Sequence, residues 1–206
     1  MGEKLYYFAY GSNLLIEQMV KRCPESLPLT QGILRDYKLV YKANPSGRGV
    51  ADVIESKGDK VYGAIYEVTA NDLKKLDRYE GRPTVYDRHI IKVETRKGMI
   101  KCIVYLMEPQ YTFALPQVEY FKKIFNGYGD WILPQKHLTE GYSKFKVEVS
   151  KMPKPKISVT KNNTKNNNSS KPNKGKSKNK PNKNSNGKVV YKTRTPIGYE
   201  PAIKWV

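Results

Sequence analysis

Cysteine, histidine and long apolar runs are all scarce in this chain, and each scarcity removes a class of function. Cys23 and Cys102 are the only two cysteines. They are too few and too far apart for a disulfide framework or a Cys-x-x-Cys zinc site, and they suit a reducing compartment. The two histidines, His89 and His137, are too widely separated to suggest a metal pair, so neither metal nor cofactor is expected. No apolar run approaches the roughly 20 residues that span a bilayer. Acidic and aromatic residues interrupt any signal-like segment at the start, and Tyr6 stands where a myristoylation signal needs Ser or Thr. A cytoplasmic protein without a transmembrane segment is the expectation.

Acidic residues are also few, 19 against 38 basic ones, for a net charge of +19. That charge is unevenly placed. Residues 151–206 hold 15 of the basic residues and a single acid, Glu200, so they carry +14 and residues 1–150 only +5. Residues 151–188 contain twelve Lys and no acid, and are otherwise mostly Asn, Ser and Pro. Such a segment buries too little apolar surface to offset its ordering entropy, which predicts a disordered linker. Its lysines suit non-specific nucleic acid or another polyanion through counterion release, or serve only to solubilise. No aromatic interleaves residues 160–188, so base stacking is not provided there. Residues 189–206 turn apolar and aromatic again, with Tyr191, Tyr199 and Trp205. They read as a docking peptide on a tether, a segment folding back onto the domain, or a weakly structured end. The organisation predicted is a domain over 1–150, a linker over 151–188 and a docking peptide over 189–206.

Within the domain, Leu5 to Ala9 is a continuous apolar and aromatic run that reads as a short buried strand. Asp36 to Tyr41, Val50 to Ile54 and Val61 to Val68 read as further strands, with turns at Gly47-Arg48-Gly49 and Gly58-Asp59. Ile90 to Glu94 and Ile100 to Tyr105 flank Lys97-Gly98 as a hairpin. Leu15, Ile16, Met19 and Val20 give Leu14 to Arg22 a helical spacing, with Ser12 or Asn13 as N-cap. Thr69 to Glu80 is a helix with a Thr69/Asp72 capping box, a Gly81 stop, and Leu73, Leu76 and Tyr79 on one face. Gln117 to Phe125 is another, with Val118, Phe121, Ile124 and Phe125 inward. Short strands with a few helices predict an α+β domain built on a small mixed β-barrel.

The chemistry concentrates at Tyr10-Gly11-Ser12-Asn13-Leu14, where the first strand gives way to a polar turn and a helix start. Backbone N–H groups there suit a carboxylate or phosphate, although an ordinary strand-to-helix connection has the same composition. Three ordered blocks resemble the γ-glutamylcyclotransferase family over roughly residues 5–142. The first runs from Tyr10 to Leu14, with Met19 and Arg22-Cys23-Pro24. The second is Gly63-Ala64-Ile65-Tyr66, then Leu76 to Gly81, then Tyr86. The third, weaker, is Tyr105-Leu106-Met107, Pro116, Tyr120, Ile124, Gly127 and Leu133-Pro134.

The resemblance implies the small β-barrel of that fold and release of 5-oxoproline from a small-molecule γ-glutamyl amide. It implies Glu80 as the catalytic acid and base, since this residue matches the family's glutamate; by itself the sequence favours a solvent-facing Glu at a helix end, because most Glu residues are exposed. Tyr10, Gly11, Ser12, Asn13 and Leu14 would hold the glutamyl group. Ser12 lacks a His–acid pair and a Gly-x-Ser-x-Gly elbow, so it reads as a binding residue. Tyr86 and Tyr120 match family tyrosines that line the site; core packing is the alternative for each. The segment before the late tyrosine, Leu115 to Tyr120, departs from the family's Pro-rich pattern and bears on substrate choice. The alternatives to this enzyme are a same-fold catalyst on another acylated amine, polyamine or nucleotide-linked, and a ligand-binding module tethered to a polyanion.

Overall fold

Alternating and β-branched runs build five strands among the described residues, β1 (Leu5–Ala9), β2 (Leu27–Ala43), β3 (Gly49–Val68), β4 (Tyr86–Thr95) and β5 (Gly98–Met107). The computed structural model describes residues 4–153. In it the strands close into a barrel of order β1-β3-β2-β4-β5. Neighbours are antiparallel except at the seam, where β1 runs parallel to β5 with Tyr7 opposite Ile103. Closure pairs what would otherwise be exposed strand edges. Phe8, Leu34, Ile65, Val93 and Val104 fill the core without measurable exposure. The linker and docking peptide predicted from the sequence lie, from position 154 onward, outside the described residues.

Two predicted strands prove to be one. Val50 to Ile54 and Val61 to Val68 are the halves of β3, and the Gly58-Asp59 turn persists inside it as a bulge. Arg35 pairs with Lys60 and Tyr37 with Glu55, so residues 56–59 face Asp36 alone. Asp36 takes a left-handed φ of 61°, and its Oδ1 accepts the Gly58 N–H at 2.9 Å. Strand β2 also starts earlier than expected, at Leu27, because its first residues pair with β3 despite weak alternation.

Among the described residues four helices, α1 (Ile16–Arg22), α2 (Ala70–Glu80), α3 (Val118–Asp130) and α4 (Gln135–Ser150), flank the barrel. Helix α2 forms as the sequence dictates, with a complete Thr69/Asp72 capping box and Gly81 as a left-handed C-cap. Tyr79 does not join Leu73 and Leu76 in the core; it is half exposed, with the Arg22 guanidinium over its ring. Helix α3 is longer than predicted, and Val118 at its start is exposed. Helix α4 was not predicted, since Leu138 and Phe145 are its only buried residues and its apolar stripe is faint. The Ser12/Asn13 cap is corrected as well. Ser12–Leu14 forms a separate 3-10 turn, α1 starts after Leu15, and the Asp130 carboxylate of α3 accepts the Ile16 N–H at 3.0 Å.

Candidate active site

The sharp exit from β1 sets the position of the site. Tyr10 follows directly on the strand and donates its hydroxyl to the Tyr105 carbonyl of β5 at 2.5 Å, and the chain turns at once into Ser12–Leu14. Gly11 has a φ of −106°, so conformational freedom does not explain it. Space does: a Cβ there would sit 3.2 Å from the Ala51 Cβ and 3.6 Å from the Tyr120 hydroxyl. Beneath the turn, Gly127 of α3 lets the helix pack directly on Leu14, since a Cβ would lie 2.6 Å from that side chain.

A cavity of about 200 Å³ opens between this turn, the end of α2, the start of β3 and α3. Tyr10, Gly11, Ser12, Asn13, Glu80, Tyr86 and Tyr120 all border it. Leu14 does not. It is fully buried beneath the turn and contributes its carbonyl to the Trp131 indole N–H at 3.0 Å.

Glu80 reaches the cavity because α2 ends there, one residue before the left-handed Gly81. Part of the residue stays open to the cavity, yet protein atoms surround its carboxyl closely, and that desolvation raises its pKa to about 7. The Arg22 charge and a hydrogen bond from Asn13 act in the opposite direction and are outweighed. Asn13 Nδ2 donates to Glu80 Oε1 at 3.1 Å and to the Tyr7 hydroxyl at 2.9 Å. A carboxyl titrating near neutrality can both take and return a proton.

The two predicted tyrosines are anchored on one backbone unit in opposite senses. Tyr86 donates its hydroxyl proton to the Ala51 carbonyl at 2.7 Å. Tyr120 instead accepts the Ala51 N–H at 3.0 Å, so its proton is not spent on Ala51, and the Ser12 side chain also bonds this hydroxyl. Burial raises the pKa of both hydroxyls, so they remain donors. Sequence reasoning missed Tyr7, Ala51 and Tyr105 as cavity residues and Arg22 behind Asn13. Arg22 stood within a quoted block, whereas nothing local marks Ala51, whose role comes from strand register. Tyr105 is fixed from behind: its hydroxyl donates to Asp77 at 2.8 Å, and Arg88 grips the same carboxylate. Among the described residues, no cluster of His, Cys, Asp and Glu suits a metal ion.

Comparison with known proteins matches residues 7–132 to the family model for γ-glutamyl cyclotransferase, AIG2-like. A γ-glutamylcyclotransferase of Mus musculus is 37% identical over 145 residues, covering 66% of this chain and 76% of the relative. That of Homo sapiens is 36% identical over 134 residues, covering 61% and 70%. A solved γ-glutamyl cyclotransferase structure superposes with a TM-score of 0.61 at 34% identity, covering 70% of this chain and 87% of its own.

Proposed function

The chain belongs to the γ-glutamyl cyclotransferase, AIG2-like family and is a cyclising enzyme, and on that premise we propose that it releases 5-oxoproline from a small γ-glutamyl amide with Glu80 as proton shuttle. The observation carrying this reading is that Glu80, among the described residues, brings the one carboxyl to the cavity, held by Asn13 and brought to about 7 by burial.

The substrate's α-ammonium enters protonated, and the Glu80 carboxylate removes a proton to make it a nucleophile. The amine nitrogen attacks the γ-carbonyl carbon of the same molecule, forming the lactam C–N bond and an oxyanion. Proximity comes from the substrate itself, so no enzyme nucleophile is needed. The Gly11–Asn13 turn supplies N–H groups that helical geometry leaves without partners, and the Tyr120 hydroxyl adds a donor. As the oxyanion collapses, the bond to the departing nitrogen breaks and Glu80 returns the proton there. Having given up the first proton, Glu80 takes the second from the lactam nitrogen and passes it to the same departing amine, which leaves as an ammonium while Glu80 finishes as a carboxylate.

A panel of γ-glutamyl amino acids and amines, assayed for 5-oxoproline by mass spectrometry, tests the reaction and identifies the leaving group. Absence of 5-oxoproline across the panel, or undiminished release by Glu80→Gln, counts against the proposal.

A further inference from the structure

We infer that Arg22 is the positioning residue that holds the Asn13 carboxamide toward Glu80, an inference resting on the proton-shuttle reading above. Arg22 is the last residue of α1, and its guanidinium carbon lies 3.3 Å from the centre of the Tyr79 ring. From there Nη1 donates to Asn13 Oδ1 and, at 3.4 Å, to Ser12 Oγ. A guanidinium has donors and no acceptor, so the Asn13 atom facing it must be the carbonyl oxygen. The amide nitrogen is thereby turned toward Glu80 Oε1 and the Tyr7 hydroxyl. The flipped carboxamide would set N–H against N–H at Arg22 and oxygen against oxygen at Glu80. Arg22 therefore decides which end of Asn13 the carboxylate meets.

The backbone of the turn does not depend on this contact. Gln18 Nε2 donates to the Ser12 carbonyl at 2.6 Å, and the Tyr66 hydroxyl to the Asn13 carbonyl at 3.2 Å. Side-chain rotation at Asn13 is the freedom that Arg22 removes. Its stacking on Tyr79 spans the two elements involved, because Tyr79 immediately precedes Glu80 on α2. The titratable groups that interact with Glu80 are Arg22, Tyr7, Tyr10, Tyr86, Tyr120 and Cys23. Burial raises every hydroxyl in that set and lifts the Cys23 thiol to about 12, so they stay neutral and Arg22 supplies the charge.

Arg22→Lys and Arg22→Met separate the charge from the geometry. Lysine keeps the charge on a point ammonium but loses the planar fork; methionine loses both. Three readouts are taken on the full chain: kcat and KM for 5-oxoproline release, the Glu80 titration followed by ¹³C NMR without substrate, and the Asn13 side-chain amide signal. Both variants should lose kcat by up to about 100-fold with KM little changed, as a misplaced reactive group does. The Glu80 midpoint should rise in Arg22→Met and return toward wild type in Arg22→Lys, while kcat does not return. Wild-type kcat in Arg22→Lys, or an Asn13 amide signal unchanged in both variants, overturns the inference. If Arg22→Met fails to fold, Arg22→Lys decides. A wild-type protein that releases no 5-oxoproline refutes the proposed reaction, whereas the Asn13 signal still tests the role of Arg22.

Discussion

Burial that lifts the Glu80 carboxyl from 4.5 to about 7 makes ionisation costlier in the folded chain than in the unfolded one. Well below 4.5 both states hold the proton and no cost arises. As pH rises through that value the unfolded chain ionises first, and stability falls until the folded carboxyl also ionises near 7. Glu80→Gln lacks this penalty and can still accept from Asn13. Denaturation should therefore find it more stable than wild type by up to about 3 kcal/mol near pH 8, the difference vanishing toward about pH 4. The same substitution should lower turnover by roughly 10²–10⁴ with the fold intact, and Glu80→Asp should also be poor because its carboxyl retreats by a methylene. In the wild type, kcat/KM should climb with pH through an acid limb near 7, as the base ionises. The tyrosines divide by where their protons go. Tyr120→Phe removes a donor at the cavity wall that Ala51 does not use and should cut kcat by up to roughly 100-fold. Tyr86→Phe removes a proton already given to Ala51, so it should cost about 1 kcal/mol of stability and less activity.

Elements meet at the site through close packing. Helix α3 rests on the Ser12–Leu14 turn through Gly127, and its Asp130 caps α1. Gly127→Val would drive a branched side chain into Leu14 and the Leu14–Leu15 backbone. It should lose about 1–3 kcal/mol and displace Asn13, so thermal stability and kcat should fall together. Gly11→Val should instead weaken substrate binding, because its side chain meets Ala51 and the Tyr120 hydroxyl at the cavity wall, whereas Ser12→Ala should cost much less. Gly141 of α4 is the control: its Cβ position has nothing within 4 Å, and Gly141→Ala should add about 0.5–1 kcal/mol through helix propensity with activity unchanged. Trapping an acyl-enzyme on Ser12 would refute a mechanism without an enzyme nucleophile.

For the whole molecule, the cavity lies entirely within residues 7–120, and α4 ends at Ser150. A chain stopped at Ser150 should fold and keep the reaction on a small substrate. It should lose most of any affinity for nucleic acid or another polyanion, because the removed residues carry +14 of the +19 charge. Binding by the full chain should weaken steeply with added salt, which a titration against single-stranded DNA at several ionic strengths measures. Loss of activity on truncation would instead assign residues 189–206, with Tyr199 and Trp205, to the catalytic domain.

Local signals determined a good deal. The apolar run of β1, the hairpin around Lys97-Gly98 and the Thr69/Asp72 box with Gly81 each encode their element within a few residues, and all three form accordingly. The Tyr10 to Asn13 turn and Glu80, 67 residues apart at Asn13, were readable as a pair through the family resemblance alone. Tertiary structure decided the rest, because the deciding forces act between distant segments. Register of β2 on β3 places Ala51 between two tyrosines, and packing exposes Tyr79 so that Arg22 can stack on it. Burial sets the Glu80 titration, and desolvation is a property of the assembled cavity, with no counterpart in the run of residues around position 80.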